Sequence, residues 1–62
     1  MNGKELLKIL KKHKFKVLRI NGSHYILGKE NCRPFPIPVH GTKDISKGTL
    51  KNIERLSGVK LM

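Results

Sequence analysis

The sequence contains little that disulfide bonding or membrane insertion would require. Its single cysteine, Cys32, has no partner for an internal disulfide, which is typical of proteins in a reducing compartment. No apolar run is long enough for an export signal or for a helix that spans a bilayer. We therefore expect a cytoplasmic protein that does not contact a membrane.

Acidic residues are also scarce, and they are scattered along the chain. The four of them are Glu5, Glu30, Asp44 and Glu54. A two-metal nuclease needs several converging carboxylates, which this set does not supply. The histidines and the cysteine lack the Cys-x-x-Cys or His-x₃-His spacing of a zinc site, and no glycine-rich phosphate loop is present. We therefore expect neither a bound metal nor a cofactor.

Basic residues dominate the composition. Lysine and arginine number 14 in a chain of 62 residues, and the formal net charge is +10. Such a charge destabilises the compact state by self-repulsion, so a polyanion is expected to cover the surface, and a nucleic acid is the first candidate. A single domain of this length, residues 1–62, buries only about 60% of its unfolded surface. Any chemistry should therefore take place on an open face rather than in a deep cavity.

Two amphipathic helices are predicted, one at each end of the chain. The first covers residues 2–13, with Asn2 as N-cap and Glu5 in the position that completes a capping box. The second follows Ser46 as N-cap and ends at Gly58, a residue type that suits the position after a helix. Both helices carry an apolar stripe, so each is expected to pack on a sheet.

A β-hairpin is predicted between the helices. Asn21-Gly22 lies between two alternating apolar runs, which indicates a tight turn. Strict alternation in the first run places Val17 and Arg19 on the same face, and in the second run His24 shares a face with Ile26. The turn should therefore hold His24 rigidly at the start of the returning strand.

A third strand is predicted over residues 32–39, where prolines stand at positions 34, 36 and 38. In an extended strand, alternate residues direct their backbone groups to the same side, and proline has no N–H to donate. One side of this strand therefore lacks three donors, which indicates an edge strand. The resulting α-β-β-β-α order predicts an α+β fold, a three-stranded antiparallel sheet with two helices on one face. The double-stranded-RNA-binding domain has this order and shape, although such an analogy establishes no activity.

The composition, with three histidines among many lysines, favours RNA cleavage by acid–base catalysis. RNA carries its own nucleophile in the 2′-hydroxyl, so its cleavage needs a proton acceptor, a proton donor and cations around the phosphoryl group. Histidine can serve in either proton-transfer role. From these residues alone, His24 is either such a catalyst or a solvated, phosphate-binding residue. His13 suits a partner of the helix dipole, and His40 suits a residue that shapes its loop.

Three segments of the sequence are similar to those of a known family. GSHYIL at 22–27, PIPVHG at 36–41 and KGTLKNIERLSG at 47–58, behind a short lysine-rich helix, resemble the HicA-type mRNA interferase toxins. The resemblance covers nearly the whole chain and implies a double-stranded-RNA-binding-like fold and a ribonuclease that cuts messenger RNA. It also implies a HicB-type antitoxin as partner, which covers the active face and usually binds the operator, so no direct DNA binding is expected of this chain.

The resemblance assigns the catalytic role to His24, as general acid or base in metal-independent RNA cleavage. The second acid–base group stays open among water, a lysine and His40. The residues expected to bind or polarise the phosphate are Lys16, Arg19, Gly22 and Ser23.

One position departs from the family pattern, which commonly has glycine where this chain has Lys14. A lysine there predicts local strain at His13 or Lys14, or a helix that ends differently. Two other functions remain alternatives to the ribonuclease. One is a non-catalytic double-stranded-RNA-binding module, and the other is an interaction subunit whose basic face docks an acidic protein.

Overall fold

The computed structural model describes residues 1–62 and contains two helices and three strands. In chain order they are α1 (Gly3–Lys12), β1 (Lys16–Asn21), β2 (His24–Lys29), β3 (Cys32–Pro38) and α2 (Lys47–Ser57). The strands form one antiparallel sheet in the order β1-β2-β3. The predicted α-β-β-β-α fold is confirmed, as is the position of the proline-rich strand at an edge. Neither helix is long and apolar enough to span a bilayer.

Both helices begin at the predicted caps. In α1, the backbone N–H of Glu5 donates to the Asn2 side chain, and the backbone N–H of Asn2 donates back to the Glu5 carboxylate, each at 2.9 Å. In α2, the Ser46 hydroxyl accepts from the backbone N–H of Thr49 at 3.3 Å. Gly58 ends α2 with a left-handed φ of 74°. The residues predicted as caps therefore form the caps of both helices.

The hydrophobic core lies between the helices and one face of the sheet. Tyr25 and Leu27 of β2 point to this face, which we call the covered face, and they pair with Ile37 and Phe35 of β3. The nine buried core residues are Leu6, Leu10, Phe15, Leu27, Phe35, Ile37, Leu50, Ile53 and Val59. The opposite face, which carries His24, Ile26 and Gly28 of β2, has no helix over it, and we call it the open face.

A β-bulge in β1 corrects the predicted alternation of that strand. Val17 pairs with Leu27, but Arg19 pairs with Ile26, so the register shifts between them. Because paired residues share a face, Val17 points to the covered face and Arg19 to the open face. The prediction that they point the same way is therefore wrong. The extra residue, Leu18, is 57% exposed.

The hairpin turn lies one residue later than predicted. Asn21 pairs with His24, so the two central residues of the turn are Gly22 and Ser23. Gly22 has a φ of 61° and Ser23 has a negative φ, the combination of a type II′ turn with glycine in the first central position. Asn21 ends β1 instead of entering the turn.

The end of α1 explains the strain predicted there. Lys14 has a φ of 71°, whereas His13 has a φ of −93°. The backbone N–H of Lys14 donates to the carbonyl of Lys11 at 3.0 Å, and that of Phe15 donates to the carbonyl of Leu10 at 3.1 Å. This is the Schellman pattern, which requires a left-handed residue at the position that Lys14 occupies. The strain therefore lies at Lys14.

The chain beyond α2 is held by a carboxylate. The backbone N–H groups of Leu61 and Met62 donate to Glu54 at 2.6 and 3.1 Å, and these hydrogen bonds hold the pKa of Glu54 below its ordinary value of 4.5. A lowered pKa in the folded state stabilises the fold above the unfolded-state value, and that contribution is lost as the pH falls through the folded-state value.

We therefore expect Glu54→Gln to lower Tm at neutral pH, with the difference from the unmodified protein shrinking as the pH falls below about 4.5. Circular dichroism melting curves across this pH range measure it. The matched control is Glu30→Gln, at an exposed turn residue. Its Tm should differ from that of the unmodified protein by the same amount at every pH. A Glu54→Gln difference that does not change with pH would contradict the role of this carboxylate.

Candidate active site

His24 stands at the start of β2, on the open face, and its side chain is exposed. Its backbone is held from both sides, because it pairs with Asn21 of β1 and with Pro38 of β3. The carbonyl of Ser23 accepts a hydrogen bond from the backbone N–H of Val39 at 2.8 Å, which extends the pairing beyond β3. His24 is therefore an accessible imidazole on a rigid backbone.

The neighbours of His24 on β3 are prolines. Pro38 lies opposite His24, and Pro36 lies opposite Ile26. Proline rings lose almost no side-chain entropy on folding, so they form a fixed apolar surface beside the imidazole. The prolines that block further strand pairing at the sheet edge thus also shape the floor next to His24.

The structure brings a second imidazole to this end of the open face. The ring centroids of His24 and His40 lie 6.1 Å apart, with an angle of 84° between the ring planes. His40 follows β3 and begins a turn in which the backbone N–H of Lys43 donates to its carbonyl at 3.0 Å. Gly41 adopts a φ of 58° within that turn. From the sequence, His40 is only one of three candidates for the second acid–base group. Its distance from His24 depends on the register between β2 and β3, which the sequence does not reveal.

The predicted phosphate-binding residues separate into two groups. Gly22 and Ser23 form the turn next to His24, and the bulge turns Arg19 onto the same face. Lys16 pairs with Gly28, four residues along β2 from His24, which is about 13 Å at roughly 3.3 Å per residue. Because the strands run antiparallel, Lys16 lies at the other end of β1 from His24, whereas the other three predicted residues lie at the His24 end.

The basic side chains of this end of the sheet form no ion pairs. Arg19, His24 and His40 are all exposed, and none of them forms a salt bridge with an acidic residue. Nowhere in residues 1–62 do three or more histidine, cysteine or acidic side chains come together as a potential metal site. What the arrangement offers is two imidazoles that can exchange protons with a substrate, beside a guanidinium that can bind an anion.

Fold and site together define a class: a small basic domain of the double-stranded-RNA-binding shape, with an exposed histidine pair on its open sheet face. The family model described as the HicA toxin of bacterial toxin–antitoxin systems matches residues 3–59. The chain therefore belongs to the HicA toxin family, and it is a toxin whose partner is an antitoxin. Comparisons with curated proteins and with solved structures found no match to the chain.

Proposed function

We propose that this toxin is a metal-independent endoribonuclease that cuts messenger RNA, with His24 as general acid or base. The observation that carries the proposal is the pair of exposed imidazoles, His24 and His40, with ring centroids 6.1 Å apart on the open face. Two imidazoles at this separation can flank one phosphodiester, which is the arrangement that concerted proton transfer requires.

The reaction uses the nucleophile that RNA already carries. The 2′-hydroxyl oxygen attacks the adjacent phosphorus, and the bond between phosphorus and the 5′ oxygen breaks, which leaves a 2′,3′-cyclic phosphate and a 5′-hydroxyl. One imidazole accepts the proton of the 2′-hydroxyl, and the other donates a proton to the departing 5′ oxygen. His24 takes one of these roles, and His40 takes the other.

Groups near His24 stabilise the charge that develops on the phosphoryl oxygens. The guanidinium of Arg19 is on the same face and can form paired hydrogen bonds with a phosphate. The turn residues Gly22 and Ser23 add backbone N–H groups and a hydroxyl immediately before His24. Donors held in advance by the fold favour the transition state, because they need no reorganisation during the reaction.

The partner that we propose is a HicB-type antitoxin that covers the open face. A net charge of +10 favours an acidic covering surface, and the antitoxin rather than this chain would contact operator DNA. The toxin would act in the cytoplasm, where messenger RNA is translated.

Incubation of the purified protein with a long single-stranded RNA tests the proposal. We expect fragments that end in 2′,3′-cyclic phosphate and begin with a 5′-hydroxyl. A non-catalytic double-stranded-RNA-binding module would bind with a steep salt dependence over about 16 base pairs and leave the RNA intact. A pure interaction subunit would show no affinity for RNA.

His40→Ala should lower kcat by about 100-fold, in line with the loss of one acid–base group. The pH profile of kcat/KM should also lose one of its two limbs, since one of the two acid–base groups is then absent. Steady-state cleavage of a fluorescent RNA across the pH range measures both effects. An unchanged rate and an unchanged profile would assign the second role to water or a lysine.

A further inference from the structure

A second cationic site lies at the other end of the open face from His24. A groove of about 680 Å³ opens there, and we call it the lysine groove; its lining includes Lys14, Lys16, Leu18, Gly28, Lys29 and Pro34. We propose that the lysine groove binds a backbone phosphate of the RNA strand whose scissile bond lies at His24. The proposal rests on the function proposed above, and it extends the RNA contact well beyond the catalytic pair.

The sheet itself aligns the lysine groove with His24. Gly28 has the same parity as His24 on β2, so both lie on the open face, about 13 Å apart at roughly 3.3 Å per residue. Leu18 packs against Gly28, where a Cβ would lie 2.6 Å from the Leu18 Cδ1. A strand of RNA that crosses the open face from His24 therefore reaches the groove over a mostly apolar floor.

The lysines of the groove are placed by three different features of the fold. Lys16 pairs with Gly28 in the sheet, and Lys29 holds its Nζ 5.1 Å from the centroid of the Phe15 ring. Lys14 follows α1. The lining of the groove thus contains three lysines and one acidic residue, Glu30, which leaves an excess of positive charge for an anion.

Lys14 supplies the observation that points to function. Its φ of 71° is a conformation that glycine adopts freely and that residues with a Cβ rarely adopt. A strained residue persists only where the surrounding structure fixes its conformation, and such residues cluster at ligand-binding and active sites. Here the strained position adds one more cation to the lysine groove, and glycine would remove both the strain and the charge.

Lys14→Gly therefore separates the effect of Lys14 on stability from its effect on RNA binding. We expect it to raise Tm while it weakens binding of a fluorescein-labelled 12-nucleotide single-stranded RNA about three- to fivefold, the effect of one exposed ion pair. The slope of log K against log salt should fall by about 0.7, the value for one phosphate contact on a single strand. All variants carry His24→Ala, so that the probe is not cut, and fluorescence anisotropy reports binding.

The matched control is Lys8→Ala, which removes the same charge from the exposed side of α1. It should leave the salt slope unchanged. Equal losses of affinity and slope in Lys14→Gly and Lys8→Ala would overturn the proposal in favour of net charge alone. Loss of binding to poly-glutamate but not to RNA in Lys14→Gly would overturn it in favour of an acidic protein as occupant.

A cleavage assay of the protein with His24 intact, read beside these binding data, separates this inference from the proposed function. If the protein with His24 intact does not cut RNA but Lys14→Gly still lowers the salt slope, the lysine groove stands and the ribonuclease proposal falls. If RNA is cut and Lys14→Gly changes neither affinity nor slope, the ribonuclease proposal stands and the lysine groove is wrong.

Discussion

His24→Ala will lower the rate of RNA cleavage by at least about 100-fold, the usual contribution of one acid–base group. The free energy of unfolding should change by no more than about 0.5 kcal/mol, because the His24 side chain is exposed and lies outside the core. RNA affinity should be nearly retained, since Arg19 and the lysines remain. Single-turnover cleavage, urea unfolding and anisotropy measure the three quantities on the same preparation.

The matched control is His13→Ala, at the C-cap of α1, outside the set of residues assembled around His24. It removes the same kind of side chain and should retain full cleavage. If His24→Ala unfolds the protein, the histidine has a structural role. If it cuts RNA at the original rate, the catalyst lies elsewhere.

Gly3→Ala should destabilise the protein by about 3 kcal/mol, at the upper end of the range for an overpacked site. A Cβ at Gly3 would lie 2.4 Å from the carbonyl oxygen of Pro38 and 2.7 Å from the Cα of Val39. Both contacts are with backbone, so no side chain can rotate away. Since small domains are stable by only about 5–15 kcal/mol, this is a large fraction of the total.

The same contact links α1 to the candidate site. Gly3 packs against the segment that leads into His40, and the backbone N–H of Ile45 donates to the carbonyl of Met1 at 2.8 Å beyond it. A displaced α1 would therefore move His40 relative to His24. We expect Gly3→Ala to reduce cleavage as well as stability, even where the protein is still folded.

Gly48→Ala is the control for this substitution, because no atom lies within 4 Å of the added Cβ. It lies in the first turn of α2 and should stabilise the protein by up to about 1 kcal/mol through better helix propensity. Urea unfolding of the two variants should therefore give shifts of opposite sign. Equal shifts in one direction would contradict the steric account of Gly3.

Elements encoded by a few neighbouring residues could be predicted from the sequence. The capping box of Asn2 and Glu5 and the N-cap at Ser46 are local hydrogen-bond patterns, and they form as expected. The prolines of β3 carry their own constraint, so the edge position followed from them. In each case the physical cause lies within one segment.

Features that depend on two segments could not be predicted in this way. The bulge at Leu18 reverses the direction of Arg19, yet the alternating pattern of β1 is the same with or without it. Gly3 has no local signal, because its constraint is the backbone of β3. The meeting of His24 and His40 likewise depends on the strand register, so sequence reasoning left His40 among several candidates.

The most direct test compares cleavage of a single-stranded RNA and of its 2′-O-methyl copy in excess EDTA. The account predicts that the RNA is cut, with 2′,3′-cyclic phosphate ends, and that the 2′-O-methyl copy stays intact, because its nucleophile is blocked. Cleavage of the 2′-O-methyl copy, or complete loss of RNA cleavage in EDTA, would contradict a reaction in which His24 and the substrate's own hydroxyl act without a metal.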